Sequence, residues 1–332
     1  MRILLMLAIH LSHELRQSGN CWYLRRPTFF LYFPLLKALT NHNPAPIEML
    51  PSQTQCPAAV AILGAGSQGR RIAYMWSSTG NDVHLIDSQP AQLQASVEAV
   101  EGMRQQFKAI GSHGRIHTHA VEALRGALEK VWLIVECVPE KLSLKQQIIA
   151  QLDALAPEGV IIASNSSSYT CTEIIHGLEL AHKSRVLSAH TYWPPETTAI
   201  EIMGHGETNP AHIETMMKEC GEHGFTPFQV KQPSMGYIYN RIWAAIKREA
   251  LFAAAEGAAT PQEIDAIFKD ILKTAKGPFE QMDVVGLDVV LDIENHYAAA
   301  RPGLPVKPRE YLQQFLTQGH LGVKSGRGFY EY

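Results

Sequence analysis

Among the fifteen histidines of the chain, His190 has the surroundings that suit acid–base chemistry. It ends a strand expected over 185–189. After the turn Thr191-Tyr192-Trp193-Pro194-Pro195 the chain resumes as Ala199-Ile200-Glu201-Ile202-Met203, so two extended segments can set His190 facing Glu201. An imidazole of ordinary pKa can take the hydroxyl proton of a secondary alcohol as its hydride departs. A carboxylate behind the ring fixes the tautomer and stabilises the imidazolium. A lone histidine is more often a capped or solvent-facing side chain. The place of this one, at a strand end downstream of a nucleotide-binding unit, favours the chemical reading, and the chemistry expected is dehydrogenation of an alcohol.

Such a reaction needs a hydride acceptor, and the chain supplies a site for one. Residues 58–63 are an apolar run of strand length, followed directly by Gly64-Ala65-Gly66-Ser67-Gln68-Gly69. A helix over 70–79, stopped by Gly80 and Asn81, leads to a second strand over 82–86 that ends at Asp87. In this βαβ unit Gly64 makes the turn, Gly66 admits a pyrophosphate and Gly69 allows close helix–strand packing, with the helix N-terminus facing the phosphates. Asp87 accepts from the ribose hydroxyls. No arginine follows in Asp87-Ser88-Gln89-Pro90, so the expected cofactor is NAD rather than NADP.

The remaining elements fit one architecture. Apolar spacing at Leu93, Val97, Val100, Met103 and Phe107 predicts a helix, and buried strands are expected over 131–138 and 160–164. After Lys231 only helical spacing is found, over 238–256, 261–273 and 283–300. The fold class expected is α/β, a Rossmann-type doubly wound sheet followed by a smaller all-helical C-terminal domain. The segments are an extension over 1–56, the NAD-binding domain over 57–231 and a helical substrate and dimerisation domain over 232–332.

Several motifs together resemble the 3-hydroxyacyl-CoA dehydrogenase family: Val-Glu-Cys-Val-Pro-Glu at 135–140, Ser-Asn-Ser-Ser-Ser at 164–168, His190 with Pro194, and Lys-Ser-Gly-Arg-Gly-Phe-Tyr at 324–330. Gly236 with Asn240 and Arg241, Gly277-Pro278-Phe279, and the stretch from Asp283 to Asp288 extend the likeness to the C-terminus. The resemblance implies that His190 and Glu201 are the catalytic pair and that Ser167 and Asn240 hydrogen-bond the reacting oxygen. It implies further that Glu140, Lys145 and Lys324 contact the cofactor, and that the helical part makes a homodimer. The chain departs from the family pattern at Thr191-Tyr192-Trp193, where Phe-Phe-Asn is usual, and at Met235, where proline is usual. Its stretch from Asp87 to Val131 is also shorter and less lysine-rich, with Arg104, Lys108 and Arg115 as the basic handle for the phosphates of CoA.

Composition narrows the alternatives. The chain has 332 residues, 46% hydrophobic and 18% charged, with a formal net charge of -3. That balance offers no basic field for nucleic acid or an anionic membrane, and no apolar run approaches the length of a membrane span. A small-molecule substrate, no metal and a cytoplasmic location are expected. Residues 1–56 are Leu-, Phe- and Pro-rich with few acids, faintly like a mitochondrial presequence, and Met49 is a plausible start. Cys21, Cys56, Cys137, Cys171 and Cys220 have no paired spacing, which suits a reducing compartment. His113, His117 and His119 read as a solvated connector. The leading function is oxidation or reduction of a 3-hydroxyacyl substrate. The alternatives are a 3-hydroxy acid dehydrogenase resembling the L-gulonate 3-dehydrogenase and lambda-crystallin branch, and a catalytically retired NAD-binding protein.

Overall fold

The first described strand, β1 (Ala59–Leu63), is buried along its whole length and lies between β2 (Asp82–Asp87) and β4 (Val131–Glu136), parallel to both. The structure, a computed structural model, describes residues 59–108 and 110–332. The expectations placed on residues 1–56, including the leader, the Met49 start, Cys21 and Cys56, lie outside the described residues.

The sheet has eight strands in the order β3-β2-β1-β4-β5-β6-β7-β8. Its further strands are β3 (Ile116–Ala120), β5 (Ile161–Ser164), β6 (Val186–Thr191), β7 (Ala199–Met203) and β8 (Thr226–Val230). Only the β6–β7 pair is antiparallel. The order 3-2-1-4-5-6 is that of a doubly wound dinucleotide-binding sheet, whose ligands bind at the carboxyl ends of the strands. Both faces are covered, as a parallel sheet requires. One layer includes α1 (Ser67–Ser77) and α2 (Pro90–Gln106), which pack Ile72, Trp76, Leu93 and Val100 onto Val60, Ile62 and Leu133. On the other face α3 (Leu124–Ala127), α4 (Leu142–Leu155) and α5 (Cys171–Ile175) bury Leu124, Ile149, Leu152 and Ile174 against Ala61 and Ile134. Helix α6 (Pro210–Glu222) leads into β8 and adds Ile213, Met216 and Cys220 to the first layer.

After β8 the chain is helical: α7 (Tyr239–Ala255), α8 (Pro261–Leu272), α9 (Pro278–Val285), α10 (Leu287–Ala300) and α11 (Lys307–Thr317). Their core joins Leu251, Phe279, Met282, Leu287, Val290, Leu312 and Phe329. Buried Asp265 accepts from the Phe279 and Glu280 amides at the start of α9, and buried Asp283 accepts from the Phe329 and Tyr330 amides. The family-like motifs in this half are thus partly structural.

Three features differ from the sequence reading. The segment holding His117 and His119 is strand β3, while His113 stays in the connector. His84 Nδ1 lies 2.9 Å from His119 Nε2, and His117 lies 2.9 Å from Asp82 Oδ2. An edge strand paired on one side needs no apolar run, so Ile-His-Thr-His-Ala carried no strand signal. The same holds for β8, exposed at three of its five positions. The helix expected over 283–300 is broken at Gly286, whose φ of 102° ends α9 and starts α10. Among the described residues no helix is long and apolar enough to cross a membrane, and no His, Cys, Asp and Glu group is arranged to hold a metal ion.

Candidate active site

The glycine turn joins β1 to α1. Gly64 has φ 104°, and a Cβ there would stand 2.6 Å from the Cys137 carbonyl oxygen. A Cβ on Gly69 would meet the Gly64 oxygen at 1.9 Å, so no side chain fits beneath the turn. Gly66 faces open space, which leaves room for a pyrophosphate over the α1 N-terminus. Asp87 braces this turn as well as ending β2: its Oδ2 accepts from Ala65 N at 2.8 Å and its Oδ1 from Gln89 N at 2.9 Å. The residues present therefore fit a dinucleotide.

His190 and Glu201 are directly paired across the β6–β7 ladder and are 5% and 3% exposed. Their side chains do not hydrogen-bond each other. His190 Nδ1 lies 3.3 Å from the main-chain oxygen of Asn165, and its Nε2 lies 3.3 Å from Asn240 Nδ2. A carbonyl oxygen only accepts, so Nδ1 carries the proton and Nε2 keeps its lone pair. Burial holds the pKa of His190 below the usual imidazole value, against the opposing pull of Asn165, Glu201 and Glu140. Tyr237 stacks on the ring at 5.0 Å and donates its hydroxyl to Ser166 O at 2.7 Å.

Glu201 accepts from Ile238 N at 2.6 Å, from Tyr239 N at 3.1 Å and from the Tyr192 hydroxyl. Ile238 and Tyr239 begin α7, so this carboxylate anchors the positive end of the helix that carries Asn240. The implied direct His190–Glu201 contact is therefore not made as a hydrogen bond: Glu201 binds the start of α7, and Asn165 O holds the ring. The hydroxyl of Tyr192, where the family has phenylalanine, is the one sign in the sequence that Glu201 has another donor. Asn165 was visible only as a member of the Ser-Asn-Ser-Ser-Ser motif, and Tyr237 only as a neighbour of Gly236.

Glu140 follows β4 and accepts from Ser166 Oγ at 2.5 Å and Ser168 N at 2.8 Å, with Lys145 Nζ at 3.2 Å. Burial raises its pKa, but Lys145 and these donors outweigh burial and leave the carboxyl below its usual range. Lys145 itself is 1% exposed and gives its protons to both oxygens of Glu136 at 3.0 Å and to Val138 O at 3.3 Å. Its ammonium is thus engaged by Glu136, Glu140 and Val138 O close to the glycine turn. Lys324 is likewise held elsewhere, on Asp288 at 2.5 and 2.6 Å, and among the described residues no hydrogen bond ties its side chain to the glycine turn. Arg104 also turns inward, to Gly114 O at 2.6 Å and Ser77 Oγ at 3.1 Å.

Arg71 on α1 was not singled out from the sequence. Its guanidinium lies 3.9 Å over the Trp193 ring and donates to Pro194 O at 2.7 Å and to Glu196 at 2.5 Å. Gln68 donates to Tyr192 O at 2.7 Å. Helix α1 thus fixes the loop after His190, and Trp193, standing where the family has asparagine, is clamped onto an arginine.

Beside His190 a cleft of about 560 Å³ lies between the strand ends and the helical half. Glu140, Ser167 and Ser168 line it from the sheet, and Asn240, Trp243, Ala244 and Lys247 line it from α7. His190 sits just behind Asn240. Ser167 and Asn240 therefore line one cleft with His190 next to Asn240, a layout suited to taking a proton from an alcohol and holding the resulting oxygen.

Comparison with known proteins agrees with this fold. The family model described as 3-hydroxyacyl-CoA dehydrogenase, NAD binding domain, matches residues 59–233, and the model of the same family's C-terminal domain matches residues 236–332. The chain belongs to the 3-hydroxyacyl-CoA dehydrogenase family, a family of NAD-dependent oxidoreductases. It is 32% identical over 247 residues to lambda-crystallin of Oryctolagus cuniculus, covering 68% of this chain and 75% of that protein. It is 40% identical over 148 residues to the 3-hydroxyacyl-CoA dehydrogenase-like protein LAM1 of Cochliobolus heterostrophus, a match spanning 44% of this chain and only 31% of that relative. The solved (S)-3-hydroxybutyryl-CoA dehydrogenase PaaH1 of Ralstonia eutropha superposes with a TM-score of 0.74 at 27% identity, covering 83% of this chain and 99% of that one.

Proposed function

We propose that the protein interconverts a 3-hydroxyacyl substrate and its 3-keto form with His190 as base. The observation that carries this reading is the unprotonated Nε2 of a buried, neutral His190, its ring held by Asn165 O and its Nε2 facing the Asn240 amide beside the cleft. In the oxidative direction Nε2 takes the hydroxyl proton and its lone pair forms the new N–H bond. The carbinol C–H electrons leave as hydride; Gly64, Gly66, Gly69 and Asp87 would hold NAD, which would supply the hydride acceptor. Asn240 and Ser167 donate to the oxygen as it becomes a carbonyl. Glu201 steadies the imidazolium through space and keeps Asn240 in place through the start of α7.

The substrate class comes from the named relatives, among them 3-hydroxybutyryl-CoA for the Ralstonia enzyme. A free 3-hydroxy acid is the second reading. It is favoured by Arg104, whose inward hydrogen bonds remove one of the few basic groups that could meet CoA phosphates. Purified protein with NAD is offered 3-hydroxybutyryl-CoA, a longer 3-hydroxyacyl-CoA and L-gulonate, and absorbance of NADH is followed, with His190→Ala as control. Thioester turnover lost in the variant supports the first reading, and turnover of the free acid alone supports the second. NAD binding with no turnover of any of the three contradicts both.

The exposed Ile242, Ile267, Ile271 and Leu272 on α7 and α8 support a homodimer through the helical half. Light scattering at the mass of two chains, lost on placing Asp at Ile267 and Ile271, is the expected result. Free thiols at Cys137, Cys171 and Cys220 suit the reducing cytoplasm.

A further inference from the structure

Four residues of α7 face the cleft at helical spacing: Asn240, Trp243, Ala244 and Lys247. The facing helix α10 contributes Val289, Asp292, Ile293, His296 and Tyr297 at the same spacing. Most of this wall is apolar, and Lys247 is the exception that stands deepest. It is 7% exposed, yet among the described residues no carboxylate lies within the 4.0 Å of an ion pair, and its ammonium has no hydrogen-bond acceptor. The stem of the side chain is buried while its Nζ opens on the cleft, so a ligand rather than the protein can supply the counter-ion.

The nearby anions are engaged elsewhere. Glu294 gives both oxygens to Arg248, at 2.6 and 3.2 Å. Glu140 is taken by Lys145, Ser166 and Ser168. Asp292 is exposed at the rim, and His296 faces Glu173 at 3.3 Å. The uncompensated cation in the cleft is consistent with burial having lowered the pKa of Lys247.

We propose that Lys247 is a specificity-determining residue that binds a carboxylate carried by the substrate, while the carbinol of the same molecule sits between His190 and Asn240. The inference rests on the dehydrogenase reading above and names the substrate class more closely. Seven residues of helix separate the Cα atoms of Asn240 and Lys247 by about 10 Å. A long helical side chain leans back toward the helix N-terminus, which brings the ammonium to within about one turn, or roughly 5 Å, of the level of Asn240. Two to four bonds span that distance. The carboxylate can therefore be the C1 group of a free 3-hydroxy acid or an acid group on the acyl chain of a thioester. An unsubstituted acyl chain leaves Lys247 without a counter-ion.

The test uses the full chain with NAD bound, and Lys247→Met and Lys247→Arg variants whose NAD affinity and melting temperature establish that they fold. Calorimetric titration with 3-hydroxybutyrate and with its methyl ester reads binding. Turnover is read on the same pair, and on the CoA thioesters of 3-hydroxybutyrate and of 3-hydroxyadipate, whose distal carboxylate is free. The expected result is binding and kcat/KM about 10- to 100-fold better for the carboxylate-bearing member of one pair. Lys247→Met removes that advantage through KM with kcat changed less than threefold, and Lys247→Arg retains most of it. An advantage in the free-acid pair assigns the C1 carboxylate, and one in the thioester pair assigns the chain carboxylate. Turnover that ignores both substrate charge and Lys247 overturns the anchor and leaves the dehydrogenase reading intact. Lys247-dependent carboxylate binding without reduction of NAD keeps the anchor and overturns the dehydrogenase reading.

Discussion

The two walls of the cleft are built differently. On the sheet side the ionisable groups around the base have their partners: His190 lies between Asn165 O and Asn240, Glu201 takes three donors, and Glu136, Lys145 and Glu140 form a closed set. On the helical side Lys247 has none among the described residues. A satisfied network in a low-dielectric setting holds one geometry, which suits a reaction that must place one proton correctly. An unsatisfied cation waits for a ligand to complete it. On the proposed reading the chemistry belongs to the sheet edge and the choice of substrate to the helices.

The largest expected effect breaks the sheet side at its centre. His190→Ala lowers kcat by about 10²- to 10⁴-fold with NAD affinity unchanged, as measured by steady-state kinetics and by NADH fluorescence titration. Next, Lys145→Met strands the Glu136 carboxylate in the interior and destabilises the fold by about 3–5 kcal/mol, read by urea unfolding. A variant that unfolds like the parent would show that the Glu136–Lys145 pair contributes nothing. Glu201→Gln weakens the anchor of α7 and costs about 1–2 kcal/mol of stability. It also lowers kcat about tenfold by loosening Asn240, whereas a loss as large as that of His190→Ala would restore Glu201 to direct contact with the base. The smallest change is at the glycine turn. Asp87→Asn keeps an acceptor for Ala65 N but removes one negative charge, so the preference for NAD over NADP falls about fivefold in paired kcat/KM measurements.

What the sequence revealed divides along the same line. The glycine turn was legible because its constraints are local: Gly64 and Gly69 are required by backbone approaches within a few residues of the turn or across one strand. The opposition of His190 and Glu201 was legible because a short turn between two strands sets the register. The partner of Glu201 was not, since it comes from α7, 37 residues further on, and depends on how that helix docks. The buried pairing of Lys145 with Glu136 was not legible because it depends on the rotation of α4 over β4. Strands β3 and β8 escaped notice because edge strands carry polar residues, and the break at Gly286 was hidden inside continuous apolar spacing.

The central claim is that a buried neutral His190 takes the substrate proton, and the pH dependence of kcat/KM for alcohol oxidation tests it most directly. The groups facing the ring are Glu201, Glu140, Tyr192 and Tyr237, and burial outweighs the upward pull of the two carboxylates. The base must be unprotonated, so activity rises with pH to a plateau, and a lowered pKa moves that rise below 6.5. The account predicts a single acid limb with its midpoint below 6.5, absent from the residual activity of His190→Ala. A midpoint at or above 6.5, or the same limb surviving in the variant, would contradict it.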